Sequence, residues 1–168
     1  MTSKRFEAFL SFILKWECVR DKHGNVIAEH DPQDPGGLTK YGIDKASHPK
    51  VDIANLTLAQ ATEIYFREWR ACGAESMPPG LGEVFFNACV NCGVWRAHKL
   101  LHDPGTHNTA DNFLDAQESF YRRLVAARVQ SRREHSEDPE WLNDHPDLSK
   151  FLKGWLNRTA DLRRRIKA

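Results

Sequence analysis

Glu17 is the first residue of this chain whose type and place suggest chemistry. It follows Phe6, Phe9, Leu10, Ile13 and Leu14, which recur at helical steps, and it continues their apolar side. A carboxyl at the end of such a stripe is partly desolvated, which disfavours its charged form and raises its pKa. A group of that kind holds a proton near neutral pH and can give it to a leaving oxygen. The same Glu at a solvated helix end would do no chemistry. Downstream stand Asp31 and Asp34, in Asp31-Pro32-Gln33-Asp34-Pro35-Gly36-Gly37, and then Thr39. One protonated and one ionised carboxyl flanking a bond is the arrangement that hydrolyses a glycosidic linkage. By composition alone, ordinary turn chemistry accounts better for the two Asp residues.

These residues need a frame. The spacing predicts a first helix over residues 4–17. His23-Gly24-Asn25 is a turn signal, so residues 18–20 and 26–28 are expected to form a small β-hairpin. Each proline holds the Asp before it in extended geometry, and Gly36-Gly37 permits a tight turn or close approach to a ligand. Residues 38–43 read as one further short strand. Thr57 reads as the N-cap of a helix that runs to about Cys72-Gly73. Residues 81–93 are apolar nearly all round, as in a central buried helix. A shorter helix follows over 94–101 and a long one from Ala110 to about Arg133. The long helix carries Arg122, Arg123, Arg128, Arg132 and Arg133, either a solvated face or one that attracts an anionic polymer. Residues 134–146 read as loop, and residues 147–166 as a last helix. Tyr41, Trp69 and Trp95 are either sugar-stacking residues or core aromatics. Asn91 either satisfies a backbone group or lines a cleft.

Composition sets the outer limits. The 168 residues are 40% hydrophobic, enough for one domain with a real core. Net charge is +1, from 24 basic and 23 acidic residues, and gives no general attraction to nucleic acid. No apolar run reaches the roughly 18 residues that a membrane span requires. The first apolar stretch carries Glu7, Lys15 and Glu17 with no small-residue cleavage site after it. A secretory signal peptide is therefore not expected, and the protein should stay in the cytoplasm until another route releases it. Of the four cysteines, Cys89 and Cys92 form a CxxC. It lies inside an apolar helical run, where thiols act as small core-filling groups. Cys18 and Cys72 stand too far off in sequence to complete a usual zinc site.

The run Glu17…Asp31-Pro32-Gln33-Asp34-Pro35-Gly36-Gly37-Leu38-Thr39-Lys40-Tyr41-Gly42-Ile43 resembles the glycoside hydrolase family 108 N-acetylmuramidases of phages and prophages. Leu56–Ala61 through Tyr65 and Trp69, and Phe85–Gly93 with Arg96-Ala97 and Leu100-Leu101, are similar to that family's helices. Phe151–Arg158 resembles its C-terminal peptidoglycan-binding segment. The family commonly has Glu-Gly-Gly-Tyr where this chain has Glu17-Cys18-Val19-Arg20.

The resemblance implies a mainly α (α+β) lysozyme-like fold with a small β region beside the active-site cleft. It implies one domain over 1–168, with a catalytic part at 4–43 and a helical scaffold at 56–168. It also implies hydrolysis of the β-1,4 bond between N-acetylmuramic acid and N-acetylglucosamine. Glu17 would be the general acid, and Asp34 or Asp31 the second carboxylate. Thr39 would position water, as in the Glu-Asp-Thr arrangement of phage lysozymes. Asp31, Tyr41, Trp69 and Asn91 would contact substrate. No metal or organic cofactor is required. The expected partner is the peptidoglycan glycan strand, bound by a monomer. The alternative is a peptidoglycan- or chitin-binding module of the same fold that does not cut.

Overall fold

The computed structural model describes residues 2–30, 36–103 and 109–167. The chain forms two compact units, Met1–Glu75 and Ser76–Ala168. Among the described residues the fold is mainly α with one small antiparallel sheet.

In the first unit, α1 spans Lys4–Glu17. Ser3 caps it, its hydroxyl accepting from the Phe6 N–H at 3.2 Å. Phe6, Phe9, Phe12 and Ile13 are buried along one side, so the apolar period read from sequence is the packed face. Helix α2, Leu58–Ala71, starts with a capping box. Gln60 N–H donates to Thr57 Oγ1 at 3.3 Å, and Thr57 N–H donates to Gln60 Oε1 at 2.9 Å. The two helices meet through Phe6 on Phe66, with ring centroids 5.1 Å apart. Tyr65 and Trp69 of α2 are also buried.

Between them lies the sheet, β1 (Glu29–His30), β2 (Leu38–Lys40) and β3 (Ile43–Asp44), in the order β1-β2-β3. Glu29 pairs with Thr39, and Thr39 pairs with Asp44. Two sequence expectations change here. Residues 38–43 are not one strand. Tyr41 and Gly42 take φ of 57° and 78° and turn the chain back in a two-residue hairpin loop. Left-handed values at both central residues match the twist of the flanking strands. The hairpin expected over 18–28 is reduced to one bridge, Arg20 to Val26. The Asp21 carboxylate accepts from the His23 and Asn25 N–H groups at 2.8 and 2.9 Å. Those bonds favour a local turn over a ladder.

In the second unit, α3 (Leu81–Cys92) is buried along most of its length, as its composition predicts. Helices α4 (Val94–Leu101), α5 (Ala110–Glu134), α6 (Pro139–Asp144) and α7 (Ser149–Lys167) follow. The α6 helix falls where a loop is expected. Asp138 caps it, accepting from the Trp141 N–H at 2.9 Å, and Pro139 takes the first turn. Arg132 closes its far end by donating to the Leu142 carbonyl at 2.8 Å. That arginine, read as part of a basic face, thus has a structural partner. Arg163 of α7 pairs with Asp111 and Asp115 of α5 at 2.8 and 2.7 Å. Trp155 stacks on Tyr121 at 5.0 Å, and buried Arg158 donates to Asn87 Oδ1 at 2.8 Å. Residues of the Gly-Trp-Leu-Asn-Arg run therefore fix α7 onto α5 and α3.

Candidate active site

Glu17 ends α1 and is half-buried. It lines a pocket of about 550 Å³ together with Val19, Glu29, Gly36, Gly37, Thr39, Gly42, Asp44, Ala46 and Ser47. That volume lies within the range of ligand sites, roughly 300–1,000 Å³. All of these residues belong to the first unit. The β2–β3 turn is pressed against Glu17. A Cβ placed on Gly42 would fall 2.5 Å from Glu17 Cβ and 2.6 Å from the Tyr65 hydroxyl. Tyr65 fixes the turn from α2 by donating to the Tyr41 carbonyl at 2.7 Å. Helix α1, the hairpin turn and α2 thus meet at the catalytic candidate.

Thr39 enters the pocket from the middle strand. Its hydroxyl donates to the Gly37 carbonyl at 3.3 Å. Directly opposed residues on neighbouring strands share a face of the sheet, so Glu29, Thr39 and Asp44 stand in one row. Two carboxylates that the sequence pattern does not single out therefore flank Thr39. Glu29 is exposed on the edge strand. Asp44 is held more firmly, its Oδ1 accepting from the Ser47 N–H at 2.8 Å. Partial burial pushes the Asp44 carboxyl up, but the hydrogen bonds from Ser47 prevail and hold it below the usual carboxylate range. Behind it, His48 Nε2 lies 3.4 Å from Glu68 Oε1. Beside the acid candidate, burial pushes the Cys18 thiol up, with Arg20 opposing and Glu17 adding to the rise.

The remaining expected residues distribute as follows. Asp31 and Asp34 lie outside the described residues. Tyr41 is half-buried at the hairpin turn, with Lys40 Nζ 5.7 Å from its ring centre. Trp69 is a correction. It is 0% exposed, packed by Phe6 and Phe9, and its indole N–H donates to Glu75. A sugar ring has no face of it to stack on. Asn91 belongs to the second unit and accepts from the Tyr121 hydroxyl. Trp95, also in the second unit, is 64% exposed, with Lys99 Nζ 4.3 Å from its ring centre. Among the described residues, no group of three or more His, Cys, Asp or Glu side chains is placed to hold a metal. No described helix is long and apolar enough to cross a membrane.

A family model described as glycosyl hydrolase 108 matches residues 10–93, which is 84 of the 168 residues. The match contains Glu17, Asp31, Asp34, Thr39, Tyr41, Trp69 and Asn91, and ends before Trp95 and the Phe151–Arg158 segment. Among solved structures, SagA of Brucella abortus is similar, with a TM-score of 0.58 at 23% identity. The similarity covers 96% of this chain and 92% of that one. At that identity the likeness is one of fold. No protein of curated function matches the chain.

Proposed function

The chain belongs to glycosyl hydrolase family 108 and has a mainly α, lysozyme-like fold, and on that premise we propose that it is an N-acetylmuramidase acting on bacterial peptidoglycan. It cuts the β-1,4 bond between N-acetylmuramic acid and N-acetylglucosamine. The observation that carries this reading is the convergence of Glu17 and Thr39 on one pocket beside the sheet.

Glu17 acts as general acid and protonates the departing glycosidic oxygen. Its half-buried place at the end of α1 puts the carboxyl on the wall of the pocket. Asp34, or Asp31, supplies the second carboxylate, which stabilises positive charge at the anomeric carbon or activates water. Thr39 orients that water. Tyr41, at the hairpin turn, and Asn91 serve as substrate-contacting residues for the glycan. The chain acts as one lysozyme-like domain and as a monomer, and serves phage- or prophage-driven lysis, reaching the wall by release from the cytoplasm or by particle delivery.

The test compares wild type with Glu17→Gln on isolated peptidoglycan and identifies new reducing ends by mass spectrometry. Muramic-acid reducing ends from wild type, absent with the variant, are expected. Equal cleavage by both proteins removes Glu17 from the centre of the reaction. Wild type that binds several walls but cuts none transfers the assignment to a binding module.

A further inference from the structure

Thr39 is paired across the sheet with a carboxylate on either side, and the two differ in how firmly they are held. Glu29 sits on β1 at the sheet edge and is exposed. Asp44 ends β3 and is half-buried, and its neighbourhood is tied down on several sides. Asp44 Oδ1 accepts from the Ser47 N–H at 2.8 Å. The Asp44 carbonyl accepts from the His48 N–H at 3.1 Å. The turn that follows returns to the glycine loop: Ala46 N–H donates to the Gly36 carbonyl at 3.1 Å, and Lys45 N–H donates to the Leu38 carbonyl at 3.0 Å. Gly36, Gly37, Ala46 and Ser47 line the pocket with Asp44. Asp44 is thus a fixed carboxylate on a rigid wall of the same pocket that holds Glu17.

A carboxylate offers about four acceptor sites and no donor. Ser47 occupies part of that capacity, and Asp44 lines a pocket whose proposed substrate is rich in donors. Sugar hydroxyls and acetamido N–H groups are of that kind. A charged acceptor held in place binds such donors more tightly than a neutral one does, and loses less entropy in doing so.

We propose that Asp44 is a substrate-binding residue of this site, accepting a hydrogen bond from a hydroxyl or acetamido N–H of the sugar that lies against Thr39. The assignment rests on the glycan-hydrolase reading of the pocket. It is a role apart from the acid, Glu17, and from the second carboxylate assigned to Asp34 or Asp31.

The experiment uses the full chain with Asp44→Asn and Asp44→Ser. Both variants keep an oxygen for the Ser47 N–H, and circular dichroism with thermal melting checks that each folds. Rates are measured on soluble, uncross-linked peptidoglycan strands. Co-sedimentation with isolated sacculi is measured in the Glu17→Gln background, so that binding is read without cutting. Loss of a hydrogen bond to a charged group should raise KM at least about 5-fold, with kcat within about 3-fold, and should weaken co-sedimentation to the same degree. Unchanged KM and unchanged co-sedimentation overturn the proposal. So does a collapse of kcat at unchanged KM, which would place Asp44 at the reacting atoms. If wild type cuts no wall, the muramidase reading fails by itself, and co-sedimentation still decides whether Asp44 holds glycan. A folded Asp44→Ser protein that binds like its parent refutes the assignment even if Asp44→Asn does not fold.

Discussion

Gly42 and Glu17 are in direct contact across the site: a Cβ on Gly42 would stand 2.5 Å from Glu17 Cβ, closer than real Cβ atoms come. The glycine is therefore required twice. Its φ of 78° is a left-handed value that other residues adopt at a cost, and the helix end leaves no room for a side chain. Gly42→Ala should destabilise the protein by about 2–4 kcal/mol, the sum of backbone strain and overpacking. It should also displace Glu17 or the hairpin and reduce cleavage more than the melting temperature alone explains. Urea unfolding together with peptidoglycan-release rates at a temperature where the variant stays folded would check this. Wild-type rates at that temperature would contradict it.

How much of this could be read in the chain differs from residue to residue. Glu17 was legible because its place depends on local helical period, which sequence records directly. Thr57 was legible as an N-cap for the same reason. Asp44 does not stand out in the chain because residues 38–43 read as one strand. The signal that could have found it is Tyr41-Gly42, a two-residue loop ending in glycine between two short β-prone runs. Once that turn is recognised, Asp44 falls opposite Thr39. Helix α6 reads as loop although Asp138-Pro139 is a helix start signal, because the polar composition around it outweighs the cap. Asp31 and Asp34 lie outside the described residues, so their assignment still rests on the sequence pattern.

Trp69 separates packing from recognition. Its ring is buried among Phe6 and Phe9, and its N–H is committed to Glu75. Trp69→Phe should lower stability by about 1–3 kcal/mol, through lost volume and a lost hydrogen bond. KM for peptidoglycan strands should stay within about 2-fold. Chemical denaturation and initial rates on the same preparation would check both halves. A large rise in KM with unchanged stability would return Trp69 to the substrate-contacting set.

The depressed pKa of Asp44 makes a statement about acid stability. A carboxyl whose folded pKa lies below its unfolded value of about 3.9 stabilises the fold above that value. The contribution is lost as pH falls through the folded pKa. Asp44→Asn should therefore be less stable than wild type at pH 7, and the gap should narrow as pH drops below about 4. Because the group is half-exposed, the gap should not exceed about 1 kcal/mol. Urea midpoints of both proteins at neutral pH and at about pH 3 would show it. A gap that is constant across that range would mean that Asp44 is not held in its charged form by the fold.

The four cysteines bear on whether the CxxC has chemistry of its own. All are free thiols, Cys72 and Cys89 buried and Cys92 half-buried. The Cys92 thiol donates to the Ala88 carbonyl at 3.1 Å. Burial pushes it up to about 11, against the opposing pull of Arg96 and Arg158. At pH 8 that leaves roughly a thousandth of it as thiolate, the form that attacks electrophiles and binds metals. Native protein should therefore react with a thiol-specific disulfide reagent far more slowly at Cys92 than a free cysteine does, while urea-unfolded protein should titrate all four. Added zinc should leave the melting temperature unchanged, because metal binding here would require both thiolates of α3 to form in an apolar setting. Rapid labelling of Cys92 in native protein, or a zinc-dependent rise in melting temperature, would show that the pair does more than fill the core.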